Sequence, residues 1–171
     1  MSGTIADVSS GAQLQQEMRL ERSRDPLTGL PNKVATLEWL DRLLLGRPYN
    51  ANIAVISLDL DGFQEINDSF GSETGDQVLR RFTVLLRGKV GDHAWLARLG
   101  SDEFAVVILE NIHSLGDAIS QARELQLFLH SLDSFSDELP IRPTVCVGIS
   151  SFPEHGGDAQ QLLQSANTAL M

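Results

Sequence analysis

Two short apolar runs near the middle of the chain are separated by only four residues, and this spacing strongly constrains the fold. The runs are residues 95–99 (WLARL) and 104–109 (FAVVIL), and the connection between them reads GSDE. A short, glycine-containing connection between two such runs is typical of a β-hairpin. Because the strands of a hairpin pair antiparallel, at least part of the sheet must be antiparallel.

The segments around this hairpin predict the order β-α-α-β-β-α-β-α. Residues 53–60 form an apolar run with β-branched residues, which predicts a buried strand. Helical spacing and capping residues predict helices over 33–45, 62–70, 76–86 and 115–132, a strand over 144–151, and a last helix that begins near Asp158 and still runs at Met171. We therefore expect an α+β fold in which helices flank a central, mainly antiparallel sheet.

The N-terminal segment differs from the rest of the chain. Residues 1–11 are small and polar, and residues 13–24 are charged and favour a helix with a thin apolar stripe made by Leu14 and Met18. Such a stripe indicates a linker or signalling helix rather than a core helix. We therefore expect a linker helix within residues 1–24 and one domain over 25–171.

Composition limits the classes of function. With 171 residues, 42% of them hydrophobic, the chain can bury one good core. Its formal net charge of -10 disfavours binding to nucleic acids and to anionic membrane surfaces. An acidic protein can still bind a nucleotide if its carboxylates first hold a divalent cation. Cys146 is the only cysteine, which excludes an internal disulfide, and the sequence has neither a signal peptide nor a membrane-length apolar run, so it predicts a cytoplasmic protein.

The predicted strand over 53–60 ends at two aspartates, Asp59 and Asp61, which lie on one face because side chains alternate along a strand. Asp61 directly precedes a predicted helix, and for this residue alone a solvated side chain that caps the helix is the simpler interpretation. Asp59 is different, because a second acidic pair, Asp102 and Glu103, lies in the nearby hairpin connection. A divalent-metal site explains these three carboxylates better, and oxygen ligands without a neighbouring histidine favour Mg²⁺ or Mn²⁺ over zinc.

The chain resembles the GGDEF family in several ordered blocks. They are DPLTGLPN at 25–32, DLDGF at 59–63, IND at 66–68, GD at 75–76 and RLGSDEF at 98–104. Two later segments are similar to the last strand and last helix of the family: VCVGI at 145–149 and ANTAL at 166–170. The resemblance spans residues 25–171 and implies a nucleotidyl-cyclase-like, ferredoxin-like palm.

The resemblance implies diguanylate cyclase activity. In this reaction two GTP molecules, one on each of two facing domains of a homodimer, are joined into cyclic di-GMP with loss of pyrophosphate. Carried over by position, Asp59, the carbonyl of Leu60 and Asp102 would bind the metal ions, and Glu103 would support the metals or the reaction. Asp102 and Glu103 are therefore the predicted catalytic residues.

The same resemblance assigns the substrate contacts. Asn67 and Asp76 would hydrogen-bond the edge of the guanine, which offers both donors and an acceptor. Phe63, Gly100 and Ser101 also fall in the blocks that contact substrate, although the apolar pattern makes Phe63 a core candidate as well. The expected cofactor is Mg²⁺ or Mn²⁺ and the expected ligand is GTP, with no nucleic-acid partner and no direct membrane contact.

Several positions depart from the family pattern. Ser101 replaces the second glycine of the hairpin, and Gln64 replaces a lysine that helps to neutralise phosphate. Gly91 and Ala94 stand where an inhibitory Arg-x-x-Asp motif would lie, so we expect no such product-binding site. The chain also stops before a lysine and an arginine of the last helix, so we expect a larger parent protein with sensory or phosphodiesterase domains. A degenerate GGDEF domain that binds GTP and regulates an attached domain is the alternative hypothesis.

Overall fold

The computed structural model describes residues 3–47, 51–133, 135 and 141–170. Its helices are α1 (Gly3–Arg22), α2 (Lys33–Leu45), α3 (Phe63–Phe70), α4 (Ser72–Val90), α5 (Leu115–Ser131) and α6 (Ala159–Thr168). Its strands are β1 (Ile53–Leu60), β2 (Ala94–Arg98), β3 (Glu103–Ile108) and β4 (Val145–Phe152). This element order confirms the predicted α+β architecture.

The strands form one sheet in the order β2-β3-β1-β4, and each neighbouring pair is antiparallel. The predicted hairpin is the β2-β3 pair, with Arg98 opposite Phe104. β1 lies between β3 and β4, so Asp59 at its end has Glu103 on one side and Cys146 on the other. The antiparallel register therefore brings the end of β1 to the base of the hairpin.

Helices cover both faces of the sheet. On one face, Leu58 and Phe104 belong to a core cluster that includes Phe82 of α4 and Leu125 of α5. On the other face, Val55 and other strand residues pack with apolar residues of α2 and α6. Because side chains alternate along β1, Asp59 points to the same face as Val55. The acidic end of β1 therefore lies on the side of the sheet that α2 and α6 cover.

Gly148 of β4 lets α6 approach the sheet closely. A Cβ atom at this position would lie 2.1 Å from the carbonyl oxygen of Ala166 and 2.7 Å from the backbone nitrogen of Leu170. Gly148 is paired with Ser57 of β1, two residues before Asp59. The end of α6 consequently packs directly on the sheet beside the acidic strand end.

Several predicted helix boundaries were wrong, including the end of α4, which lies at Val90 rather than residue 86. The helical run is longer in α1, which begins at Gly3, and in α4, which begins at Ser72 rather than residue 76. The first turn of α4, residues 72–75, is polar, so it carries no apolar periodicity that a sequence could reveal. The last helix ends at Thr168, where the N–H of Leu170 donates to the carbonyl of Asn167 in a turn; Met171 lies outside the described residues. Within the described part of the chain, no helix is both long and apolar enough to cross a bilayer.

Candidate active site

The carboxylate of Asp59 is held in surroundings that disfavour its negative charge. The residue is half-buried, and its Oδ1 atom is buried without a hydrogen-bond partner among the described residues. Burial raises the pKa of Asp59 to about 6, helped by the charge of Asp102 and a hydrogen bond with it, and by the charges of Glu103 and Asp61. Such a carboxylate is stabilised in its charged form by a nearby cation.

The hairpin places the other two predicted ligands beside Asp59. The N–H of Leu60 donates to the carbonyl of Asp102 at 3.1 Å, which ties the loop to the end of β1. Asp102 is half-buried and Glu103 is exposed. Among the residues described, no three histidine, cysteine or acidic side chains are already gathered into a ligand set. The site is therefore a close pair of carboxylates, Asp59 and Asp102, with Glu103 in register alongside.

Asp61 does not cap the following helix, so that prediction was wrong. The N-cap of α3 is Gly62, which has a φ of 73° and makes no side-chain capping bond. Instead, the exposed Asp61 carboxylate accepts hydrogen bonds from Thr144 Oγ1 at 3.1 Å and Cys146 Sγ at 2.9 Å. The pKa of the Cys146 thiol rises to about 11, first because of this hydrogen bond and then through burial and the charges of Asp61 and Asp59. Cys146 is thus a protonated donor that holds Asp61 against β4.

Arg98 anchors the hairpin to the loop that precedes α2. Its Nη1 lies 3.0 Å from Asp25 Oδ1, and the two side chains are only 12% and 17% exposed. Its Nε donates to the carbonyl of Gly100 at 3.0 Å and its Nη2 to the carbonyl of Ser101 at 2.7 Å. One guanidinium therefore connects the loop after α1 to the turn that carries Asp102. The sequence does not identify Asp25 as this partner, because 73 residues separate it from Arg98.

We expect Asp25→Asn to destabilise the domain by about 2 kcal/mol at pH 7, because it leaves a largely buried guanidinium without its counter-charge. Burial would raise the pKa of Asp25, but hydrogen bonds from Thr28 and Arg98 and the charge of Arg98 together lower it. A lowered folded pKa means that the stabilisation is present above the ordinary value of 3.8 and is lost as the pH falls below it. Urea unfolding at pH 7 and at pH 3 measures both effects.

The matched control is the exposed pair Arg142–Asp133, whose side chains are 60% and 100% exposed. Asp133→Asn removes the same charge from the same kind of ion pair. We expect it to change the free energy of unfolding by no more than about 0.5 kcal/mol. Equal losses of stability in Asp25→Asn and Asp133→Asn would contradict an anchoring role for Arg98.

The structure shows the surroundings of both residues that depart from the family pattern in the predicted phosphate region, Ser101 and Gln64. The hydroxyl of Ser101 donates to Asp102 Oδ1 at 3.1 Å, so the residue that replaces a glycine contacts a predicted metal ligand. Gln64 is exposed on α3 and brings no charge. Gly100 leaves space for the carboxylate of Glu103, because a Cβ atom at position 100 would lie 3.1 Å from Glu103 Oε2.

The predicted guanine contacts lie on the two helices that follow β1. Asn67 on α3 and Asp76 on α4 are both half-buried. Gly75, the residue before Asp76, lies against the side chain of Asn67. Phe63 begins α3 and is 7% exposed within the core, where its ring approaches the same glycine. The predicted site residues therefore fall into two sets: the carboxylates at the end of β1 and in the hairpin, and the polar residues Asn67 and Asp76 on α3 and α4.

A cavity of about 150 Å³ lies on the α2/α6 side of the sheet and has Glu103 in its lining. Its polar lining residues are Lys33, Ser57, Glu103, Gln160, Gln164 and Asn167. Lys33, the first residue of α2, brings a positive charge to a cavity that Glu103 also lines. No sequence pattern singled out Lys33, because only the packing of α2 against the sheet brings it there.

A sequence model of the family described as "Diguanylate cyclase, GGDEF domain" matches residues 22–171. This chain belongs to the GGDEF family. The match covers the sheet, the hairpin with Asp102 and Glu103, and the helices with Asn67 and Asp76. The family and fold predicted from the ordered sequence blocks are therefore confirmed.

Individual relatives of this GGDEF domain agree with that assignment. The cyclic di-GMP phosphodiesterase PdeR of Escherichia coli (strain K12) is 31% identical over 169 residues, which are 99% of this chain and 25% of PdeR. The diguanylate cyclase TpbB of Pseudomonas aeruginosa is 33% identical over 163 residues, 93% of this chain and 37% of TpbB. The crystal structure of a sensory box/GGDEF family protein from Caulobacter crescentus CB15 has a TM-score of 0.78 and 31% identity, covering 86% of this chain and 95% of that one. The domain thus spans well under half the length of these two curated relatives.

Proposed function

We propose that this GGDEF domain condenses two molecules of GTP into cyclic di-GMP and releases two molecules of pyrophosphate, using Mg²⁺ or Mn²⁺. The 3′-hydroxyl of each GTP attacks the α-phosphorus of the other, so each new phosphodiester bond forms as one pyrophosphate leaves. The observation that carries the proposal is the buried, unpartnered Oδ1 of Asp59 beside Asp102. We place the reaction in the cytoplasm, where GTP and Mg²⁺ are available.

The residues present fit a hard divalent cation. The charge on Asp59 is disfavoured by burial and by three neighbouring acids, and a cation would offset both effects. All the candidate donors are oxygens, namely the carboxylates of Asp59, Asp102 and Glu103 and the carbonyl of Leu60, and magnesium prefers oxygen donors. When bound, the metal would bind phosphate oxygens, lower the pKa of the attacking hydroxyl and offset charge that develops at phosphorus.

The protein's own contribution is to position the reactants. Asp59 sits at the end of a central, doubly paired strand, and Asp102 is fixed by its backbone contact with Leu60 and by the Arg98 anchor. These constraints hold the carboxylates before substrate arrives, which limits the reorganisation needed for catalysis. Asn67 and Asp76 would select guanine by pairing with its polar edge, and Lys33 faces the cavity where phosphate charge could be balanced.

The proposed reaction requires two copies of the domain, because one site holds one GTP and each GTP supplies both an attacking hydroxyl and a leaving pyrophosphate. A homodimer that brings two sites face to face meets this requirement. Attached sensory or phosphodiesterase domains are part of the proposal, supported by relatives such as PdeR that are much longer than this chain.

The direct test is to incubate the purified protein with GTP and Mg²⁺ and to measure pyrophosphate and cyclic di-GMP. We expect both products at a ratio of two to one, turnover that rises with protein concentration as dimers form, and no product with EDTA or with ATP. GTP binding without cyclic di-GMP at high protein concentration would contradict the cyclase proposal.

A second candidate function, regulation by GTP binding without turnover, is favoured by one contact. The hydroxyl of Ser101 donates a hydrogen bond to Asp102 Oδ1, and this oxygen is one that would bind the metal ion. A domain with this contact would bind GTP through Asn67 and Asp76 and transmit that state to an attached domain. Measurable GTP affinity with no release of pyrophosphate would support this candidate over the first.

A further inference from the structure

Gly75 lies where any side chain would collide with Asn67. A Cβ atom at position 75 would be 1.8 Å from Oδ1 and 2.9 Å from Cγ of Asn67, and 3.3 Å from Cζ of Phe63. Real Cβ atoms essentially never come within 3.0 Å of such a neighbour. The carboxamide of Asn67 therefore occupies the space that every residue other than glycine would need.

The connection between α3 and α4 holds this contact in place. Gly71, with a φ of 89°, ends α3 and lets α4 begin at once, and its N–H donates to the carbonyl of Asn67 at 2.9 Å. The backbone of Asn67 is thus hydrogen-bonded to the turn, while its side chain packs against the backbone of Gly75. Asp76 is the next residue of α4, so the glycine against which the Asn67 side chain packs directly precedes the other predicted guanine contact.

We infer that Gly75 is a positioning residue that fixes the Asn67 carboxamide and thereby sets the preference for guanine over adenine. This inference rests on the proposed function. The carboxylate of Asp76 can accept from the N1–H and the 2-amino group of guanine, and the amide of Asn67 can donate to its acceptors. Adenine has an acceptor at N1, which a carboxylate repels, and inosine lacks the 2-amino donor.

A side chain at position 75 would separate the two recognition groups. Asn67 would have to adopt another rotamer, or α3 would have to move away from α4, and either change breaks the joint contact with the base. Because sites built to hydrogen-bond a polar group discriminate strongly against analogues that lack it, selectivity should fall more than general nucleotide affinity.

The test compares Gly75→Ala with Gly88→Ala, a control in the same helix whose added Cβ would have no atom within 4 Å. Dissociation constants for fluorescent derivatives of GTP, ITP and ATP are measured with Mg²⁺. We expect the parent protein and Gly88→Ala to bind GTP at least tenfold more tightly than ITP or ATP. In Gly75→Ala we expect the GTP and ITP affinities to fall together by at least tenfold and the ATP affinity to stay unchanged, so the preference for GTP over ATP disappears.

A double-mutant cycle with Asn67→Ala separates positioning from a general packing defect. In the Asn67→Ala background, Gly75→Ala should cause no further loss of GTP affinity and a much smaller drop in the urea midpoint than in the parent background. If Gly75→Ala alone fails to fold, recovery of folding in the double variant supports the inference, and failure of both variants overturns it.

The outcomes distinguish this inference from the function on which it rests. A parent protein that shows no preference for GTP would overturn both. A clear preference that persists unchanged in Gly75→Ala, as in Gly88→Ala, would overturn the role of Gly75 alone.

Discussion

Asp59→Asn is expected to abolish Mg²⁺-dependent turnover of GTP while making the metal-free domain more stable. The substitution keeps the shape of the side chain but removes the charge that burial and the nearby acids Asp102, Glu103 and Asp61 disfavour. It also removes the central candidate metal ligand, so we expect turnover to fall by at least about 100-fold. Mg²⁺ should raise the thermal midpoint of the parent protein, and it should leave the midpoint of the Asp59→Asn variant unchanged.

The gain in stability has a defined pH dependence. The pKa of Asp59 is about 6 in the folded protein, against an ordinary value of 3.8. Between these values the folded state binds more protons than the unfolded state, so the stability of the metal-free parent falls as the pH rises through this window. Because the side chain is partly exposed, we expect the variant to exceed the parent by about 1 to 2 kcal/mol at pH 7.5. The difference should shrink as the pH is lowered towards 4.

Urea unfolding in EDTA at several pH values measures this difference, and Asp68→Asn is the control. Asp68 is an exposed acid on α3, so the same change of charge there should leave turnover unchanged and should not reproduce the gain in stability at pH 7.5. Mg²⁺-dependent turnover that survives in the Asp59→Asn variant would rule out Asp59 as a required metal ligand.

The elements that could be predicted from the sequence are those whose pattern is set by burial. The bounds of β1 and α2 were predicted as they occur, because continuous burial on both faces of β1 and one apolar face on α2 leave a clear pattern. The start of α4 at Ser72 was missed, because its first turn is polar and is defined by the glycine turn at Gly71.

The candidate site shows the same division. The sequence predicts that Asp59 and Asp102 lie near each other, but the pairing of β3 with β1, which brings the hairpin turn to the end of β1, is seen only in the structure. The partners of Asp25 and Asp61 could not be predicted, because they lie 73 and 85 residues away along the chain. The role of Gly75 was equally hidden, since it depends on how closely α3 and α4 pack.

Ser101→Gly is expected to raise turnover at least tenfold and to lower the Mg²⁺ concentration needed for half-maximal rate. Ser101 Oγ donates to Asp102 Oδ1 at 3.1 Å, and a carboxylate oxygen engaged in that way is a poorer ligand for a metal ion. Glycine removes this donor and also removes the Cβ from a turn that phosphates must approach closely. Initial rates over a range of Mg²⁺ concentrations, at fixed saturating GTP, measure both effects.

Ser101→Ala separates these two causes, because alanine lacks the hydroxyl but keeps the Cβ atom. If the hydrogen bond to Asp102 limits the reaction, alanine and glycine should give similar gains and similar shifts in Mg²⁺ requirement. If close approach of phosphate is the limit, only glycine should increase the rate, and the Mg²⁺ requirement should stay near that of the parent. Rates in both variants equal to the parent rate would show that Ser101 does not restrain catalysis, and the regulatory alternative would then lose the contact that favours it.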